Sequence, residues 1–375
     1  MTNIQNLDLN NKKVLLRTDL NVEVRDGVIV EDYKIKAERN TIDFLIEKGA
    51  KIILLSHIND TDSFKELVGQ ISTILGREIG FIEDYRLIKD IIGSAQAGSI
   101  FLLENIRKWP EEEKNNEAFA KELADGFDYY INDAFSVCHR AHASVSAITK
   151  HVQSFAGPML LKEIENLSKV INEPASGKTI IFGGSKISTK APVIKNFLDK
   201  AEHILIGGAL ANVFFKKQGI DVGKSLVDEV DVLDGFNWND EKIVLPKDII
   251  VSEDKSGNEG AIEMELRDLG PEQMILDVGT QTIGEFLDII RNSKMVIFNG
   301  PLGLVESEMF AKATKAISQA IIDSEAFSVI GGGDTIAILN KFGILDKFDY
   351  VSVAGGAMLE FLSGQELPGL KALGI

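Results

Sequence analysis

A chain of 375 residues, 45% of them hydrophobic, exceeds what one hydrophobic core organises and carries enough apolar material for two. Its 33 glycines against 8 prolines suit tight strand-to-helix turns and exclude a collagen-like or disordered chain. A formal net charge of −17, with no lysine/arginine run and no basic stripe interleaved with aromatics, argues against nucleic acid as a partner.

The single cysteine, Cys138, cannot form an internal disulfide, which fits a reducing compartment. The stretch from Met1 to Lys13 lacks the basic start and apolar stretch of a signal peptide, and no apolar run approaches the roughly 20 residues of a membrane span. A cytoplasmic protein without a membrane segment is expected.

From the first strand on, short apolar runs alternate with segments of helical period. Val14-Leu15-Leu16, Ile52 to Leu55, Ile100 to Leu103 and Tyr129 to Ile131 read as strands, and Thr41 to Lys48 and Phe119 to Leu123 as helices. Continuous apolar strands without polar alternation imply burial on both faces, hence a parallel sheet covered by helices. Pro158 to Leu167 carries a helical apolar stripe, closed by the breaker Asn172 to Gly177. The strand pattern then resumes at Thr179 to Phe182, Ile204 to Ile206, Met274 to Leu276, Met295 to Phe298, Phe327 to Ile330 and Tyr350 to Val353. This predicts an α/β chain of two doubly wound parallel-sheet, Rossmann-like domains, 1–157 and 172–359, joined by an interdomain helix, 158–171.

Polar clusters follow strand after strand, which is where open parallel sheets bind ligands. In the first half they are Thr18-Asp19-Leu20-Asn21, Ser56-His57, Glu104-Asn105-Ile106-Arg107 and Asn132-Asp133-Ala134-Phe135. With His139, Arg140 and His142 they gather cations, imidazoles and amides, and a guanidinium fork suits carboxylate and phosphate, so this half reads as the site of an anionic acceptor. Taken singly, His139 and His142 read rather as turn caps and Arg107 as a surface residue.

The second half offers Gly183-Gly184-Ser185-Lys186, Gly207 to Leu210, Asn299-Gly300-Pro301, Gly331-Gly332-Gly333-Asp334-Thr335 and Gly355-Gly356-Ala357. Such turns let backbone N–H groups approach phosphates, so this half reads as the nucleotide site. Lys186 and Lys190, four residues apart, share a helical face near an N-terminus, where dipole and mutual repulsion disfavour cations. A bound polyphosphate relieves both; two solvated lysines are the open alternative. Asp334 reads as the N-cap of a helix from Thr335 or, beside a polyphosphate, as a Mg²⁺ ligand. Gly219 to Ser225 looks like a P-loop but spaces its glycines by three residues instead of four. No G-x-G-x-x-G follows the first strand, and G-x-S-x-G, H-E-x-x-H and paired C-x-x-C motifs are absent.

Leu16-Arg17-Thr18-Asp19-Leu20-Asn21-Val22, Leu103-Glu104-Asn105-Ile106-Arg107, Asn132 to Phe135, His139-Arg140-Ala141-His142 and Gly183 to Lys190 together resemble the phosphoglycerate kinase family. Asn299 to Gly303 with Glu306, Gly331 to Thr335, and Leu367-Pro368-Gly369 continue the resemblance in order to the last residues. It implies two domains facing each other across a hinged cleft, with 360–375 packing back on the first. It also implies phosphoryl transfer between 1,3-bisphosphoglycerate with ADP and 3-phosphoglycerate with ATP, Mg²⁺ accompanying the nucleotide, in a monomer. Asp19, Asn21, His57, Arg107 and Arg140 match acceptor-site positions. Gly184, Lys186, Lys190, Asn299, Glu306, Gly332, Gly333, Asp334 and Thr335 match nucleotide-site positions, Glu306 at the ribose and Asp334 at the metal. Lys190, Arg140 and Lys34 are the expected catalytic cations.

Two departures stand out. Lys34 occupies a position where the family has an arginine thought to stabilise the transferring group, so charge survives without the guanidinium fork. Ser56-His57-Ile58-Asn59-Asp60 replaces the family's Ser-His-x-Gly-Arg-Pro, losing an arginine and adding an acid. A family member that binds nucleotide but has altered or lost acceptor chemistry is therefore an alternative, and a nicotinamide-dependent dehydrogenase a more distant one.

Overall fold

The computed structural model describes residues 4–257 and 260–375. The chain divides into two units, Met1–Glu165 with Glu366–Ile375, and Asn166–Gln365. The division falls inside the helix Pro158–Asn172.

In the first unit six strands pair in the order Gly80–Ile82, Ile100–Leu103, Lys51–Leu55, Lys13–Arg17, Tyr129–Asn132, Gln153–Ala156, every neighbouring pair parallel. Successive side chains go to opposite faces. Val14, Leu16, Ile52 and Leu54 enter one core, while Leu15, Ile53, Leu55 and Tyr130 enter the other. Burial on both faces is why these strands read as unbroken apolar runs.

The second unit repeats the plan in the order Ile243–Val244, His203–Ile206, Lys178–Phe182, Met295–Asn299, Phe327–Gly331, Tyr350–Ser352, again all parallel. One expected member is elsewhere. Met274–Val278 pairs antiparallel with Asp248–Ser252, whose other neighbour is Ile262–Glu265, in a separate three-stranded sheet. Ile262–Glu265 is largely exposed, so this sheet has a wet side, which an antiparallel ladder tolerates and a helix-covered parallel sheet does not. Gly80–Ile82 and Gln153–Ala156 escape sequence reading because each is short and interrupted by glycine or polar residues.

Helices differ from expectation mainly at their ends. The segment expected from Thr41 starts at Tyr33 and runs to Glu47, which brings Lys34 into its first turn. Glu117–Ala124 is capped by Asn116, whose side chain accepts the Phe119 N–H at 2.9 Å. The pseudo-P-loop from Gly219 to Ser225 lies in a loop after the helix Gly208–Lys217 and opens no helix.

Each parallel sheet has one point at which the chain reverses its direction of growth. In the first it lies between Lys13–Arg17, which leads to Lys51–Leu55 on one side, and Tyr129–Asn132, which leads to Gln153–Ala156 on the other. In the second it lies between Lys178–Phe182 and Met295–Asn299. The strand ends diverge there and leave a crevice at their carboxyl side.

At the second switch point the two turns are locked together. Gly183 N–H donates to Asn299 O at 3.0 Å and Gly184 N–H to Pro301 O at 2.7 Å. A Cβ at Gly183 would stand 2.1 Å from Pro301 O, and one at Gly300, whose φ is +92°, 2.4 Å from Gly183 O. Among the described residues no helix is long and apolar enough to cross a membrane.

Candidate functional site

At the carboxyl end of Lys13–Arg17 the chain turns through Thr18 to Asn21, and Asp19 lies buried there. Its carboxylate meets Lys34 Nζ at 3.0 Å and accepts the Asn21 N–H at 3.1 Å, while Lys34 also donates to Asn21 O at 3.2 Å. Burial pushes the Asp19 carboxyl up, but Lys34 and its other partners outweigh it and hold the group below the usual range. Lys34 thus spends two donors on shaping the loop from Thr18 to Asn21. Arg39, five positions on, donates to Ile74 O on the other side of the same helix.

His57 is buried with Nδ1 3.4 Å from Arg17 Nη2. A guanidinium only donates, so Nδ1 accepts and Nε2 carries the proton. Burial, then Arg17, bring the ring down to about 2, so it stays neutral. Burial lowers His142 to about 4 and also lowers His139, which accepts Arg140 Nε at 3.0 Å. The imidazoles are hydrogen-bonding groups instead of cations.

Positive charge comes from Arg107, Arg140 and the fully buried Arg17, to which the sequence reading gave no site role. Arg17 also donates from Nε to Ser144 Oγ at 3.1 Å, and Ser144 Oγ donates to the buried Glu112 at 2.6 Å. The structure therefore brings Asp19, Asn21, Lys34, His57 and Arg107 into linked hydrogen bonds and contacts. Arg140 stands exposed beside His139 and within electrostatic range of Arg107.

A second buried layer supports this loop. Glu38 Oε1 accepts the Asp19 N–H at 2.8 Å, and Asp133 Oδ1 accepts the N–H groups of Met159 and Leu160 at 2.7 and 3.1 Å, capping the helix Pro158–Asn172. Burial and the neighbouring Asp133 push Glu38 well above the usual carboxylate range, and burial pushes Asp133 up to about 6.

In the second unit, Lys186 forms the N-cap of Ile187–Phe197, and Lys190 lies in the following turn. That turn has no acid of its own; Asp228, from a distant loop, accepts the Ile187 N–H at 2.9 Å. Lys190 is buried, and burial, reinforced by Lys186 and opposed by Asp334, lowers its ammonium to about 8. Its Nζ lies 3.5 Å from where a Cβ on Gly184 would stand.

Asp334 is not an N-cap. The helix Gly333–Lys341 is preceded by Gly332 at φ +96°, and Asp334 stands exposed in its first turn. Thr335 is buried, and its hydroxyl accepts the Gly300 N–H at 2.7 Å, so it acts through the Asn299-Gly300-Pro301 turn. Asn299 is 3% exposed, and its Nδ2 has no hydrogen-bond partner. A buried donor left unpaired costs about 1–3 kcal/mol, which an oxygen-rich ligand beside Gly332 would remove.

A cavity of about 270 Å³ is lined by Gly184, Glu306 and Asp334 together with apolar side chains such as Phe215, Ile275 and Leu304. Asp277, unmarked in the sequence, also lines it. Its carboxylate accepts from Val278 and Ala313 N–H at 2.9 and 3.1 Å, and burial pushes it up to about 7. Among the described residues no group of three or more His, Cys, Asp or Glu could hold a metal alone. A single carboxylate, Asp334, fits Mg²⁺ that arrives with phosphates as its other ligands.

Two doubly wound units, one with glycine turns and lysines at its switch point and one with guanidiniums and amides, make an α/β protein suited to phosphate-bearing ligands. The model of the family described as phosphoglycerate kinase matches residues 4–365. The phosphoglycerate kinase of Finegoldia magna is 38% identical, with 99% of this chain and 98% of the relative covered. That of Zymomonas mobilis is also 38% identical, over 98% and 97%. Solved phosphoglycerate kinases from Pyrococcus horikoshii and Coxiella burnetii superpose with TM-scores of 0.90 and 0.86 at 33% and 35% identity, each covering 100% of this chain and 98% of theirs. The chain belongs to the phosphoglycerate kinase family, and the dehydrogenase alternative drops out.

The buried acid layer generates a stability test. A carboxyl whose folded pKa is raised loses stability as pH climbs from its unfolded value, about 4.3, through the folded one. Glu38→Gln keeps the acceptor for Asp19 N–H and replaces the acid proton with an amide donor. It should raise the melting temperature at pH 8 by about 2–4 °C, the scale of ~1 kcal/mol in a domain of this size, and the gain should shrink toward pH 5. Equal gains at both pH values in thermal melts would assign the effect to packing.

Proposed function

We propose that the chain catalyses reversible phosphoryl transfer between 1,3-bisphosphoglycerate with ADP and 3-phosphoglycerate with ATP. The observation that carries this reading is the pairing of a buried lysine, Lys190, with the interlocked Gly184 and Gly300 turns and the unpaired Asn299 amide, in a member of this family.

In this reading an oxygen of the ADP β-phosphate attacks the phosphorus of the acyl phosphate. A new P–O bond forms, the acyl P–O bond breaks, and the carboxylate leaves with the electron pair. No proton needs to move, so catalysis is alignment and charge neutralisation. Asp19, Asn21, His57, Arg107 and Arg140 hold the acceptor; His57 offers its Nε2–H, and the guanidiniums offer forks to carboxylate or phosphate. Gly184, Lys186, Lys190, Asn299, Gly332 and Gly333 receive the polyphosphate, Glu306 the ribose, and Thr335 keeps the Gly300 turn in place. Mg²⁺, held by Asp334 and the nucleotide, would neutralise phosphate charge when bound. We take the protein to work as a cytoplasmic monomer; its net charge of −17 and single cysteine support that setting, without nucleic acid or membrane as partner.

A coupled assay with 1,3-bisphosphoglycerate and MgADP tests the proposal directly. ATP formation is expected. MgADP binding by calorimetry without transfer to or from 3-phosphoglycerate would favour altered acceptor chemistry. Lys34→Ala should lower turnover roughly a hundredfold, the scale of one lost electrostatic contact, and Lys34→Arg should raise it by restoring the fork. An unchanged turnover in Lys34→Ala would leave Lys34 with no catalytic role.

Lys190 adds a pH signature. It is charged below about pH 8 and neutral above, so MgADP affinity should be retained at pH 7 and fall about tenfold by pH 9. Lys190→Arg should stay flat over that range, because a guanidinium does not deprotonate. A wild-type affinity independent of pH would mean that Lys190 does not face the polyphosphate.

A further inference from the structure

The loop after Lys51–Leu55 carries one of the two departures from the family motifs, and its side chains are not idle. Asn59 Oδ1 accepts from Arg107 Nη1 at 2.6 Å, and Asn59 N–H donates to Asn21 Oδ1 at 3.0 Å. Asn105 holds the two loops in register: its Oδ1 accepts from Ile58 and Arg107 N–H at 3.4 and 3.2 Å, and its Nδ2 donates to Ile58 O at 2.8 Å. The neighbouring acid, Asp60, turns its carboxylate to the Val24 N–H at 3.0 Å.

Both Asn59 contacts have only one chemical sense. A guanidinium and a backbone N–H can only donate, so the amide oxygens of Asn59 and Asn21 are the acceptors. With the Asn21 oxygen turned to that N–H, its NH₂ end is the group that can donate to a ligand oxygen. Arg107 Nε lies 3.4 Å from Glu113, an exposed partner, so Asn59 is the shorter of its two side-chain restraints.

We infer that Asn59 is a positioning residue for acceptor binding, its side-chain oxygen orienting the Arg107 guanidinium and its backbone N–H orienting the Asn21 amide. The inference rests on the proposed function. A loop that has lost an arginine of its own compensates by presetting the arginine that remains, for a ligand carrying both phosphate and carboxylate oxygens. Preorganising one long side chain changes affinity rather than the transferring step.

The test is calorimetry of the full chain with 3-phosphoglycerate and, separately, MgADP, for wild type, Asn59→Ala and Asn59→Gly, alongside steady-state kinetics. Both variants lack the side-chain oxygen and keep the N–H. Each should bind 3-phosphoglycerate about five- to tenfold more weakly, raise KM for it in parallel, change kcat by less than about twofold and leave MgADP affinity unchanged. Wild-type circular dichroism and thermal melts show that the first unit of each variant is folded, and unchanged MgADP affinity shows the same of the second. Equal or tighter 3-phosphoglycerate binding in Asn59→Ala would overturn the inference, the tighter case because Asn59 would then compete with the ligand for Arg107. Wild-type strength in Asn59→Gly with a loss in Asn59→Ala would overturn it too, by making backbone conformation the cause. A wild-type protein that binds no 3-phosphoglycerate would instead sink the proposed function, and this inference with it.

Discussion

Parallel strands buried on both faces leave the chain few places where polar chemistry is affordable in water-free surroundings. Strand interiors such as Val14 to Leu16 and Ile180 to Phe182 are sealed on both sides. Only the carboxyl ends of the strands, widest where the order reverses, can expose side chains and backbone N–H groups to a ligand. Both constellations follow from that constraint: Asp19 and Asn21 after Lys13–Arg17, and the Gly183 and Gly300 turns after Lys178–Phe182 and Met295–Asn299.

The electrostatics are local solutions inside an acidic molecule. A net charge of −17 would by itself repel phosphate esters, so attraction depends on cations kept close to the strand ends. In the first unit those cations are embedded among acids, Lys34 against Asp19 and Arg17 near Glu112, which makes their burial bearable and fixes their directions. In the second unit burial lowers the Lys190 ammonium to about 8, and Asp334 and Asp228 offset it only in part. The two units thus prepare for anions differently, one by rigid pairing and the other by leaving positive charge and a buried amide donor undersupplied.

The departures in the first unit are coupled to one another. Lys34 and Asn59 reach the same residue through different atoms, Lys34 through Asn21 O and Asn59 through Asn21 Oδ1. A lysine and an amide thus both constrain the loop from Thr18 to Asn21. Asp60, which the sequence suggests as a repulsive neighbour, has its carboxylate engaged by the Val24 N–H.

Much was legible in the sequence because it is local. Unbroken apolar runs disclosed both sheets, the stripe from Pro158 disclosed the helix Pro158–Asn172 inside which the units divide, and the polar clusters of Asp19, His57, Arg107, Lys186 and Asp334 were expected, and lie, after strands. The rest depends on which distant segments meet. Met274–Val278 has the composition of a parallel strand, and only its pairing with Asp248–Ser252 made it antiparallel. Arg17 looks like a strand residue until His57 is placed beside it, and Asp277 and Asp228 carry no motif. Nor does Asn59 announce a role until Arg107, 48 residues away, comes within 2.6 Å. Periodicity and turn chemistry act over a few residues, so the sequence by itself determines elements and the strand ends where chemistry can sit. Hydrogen-bond partners and protonation states depend on what packs across the switch points, and only the tertiary structure decided those.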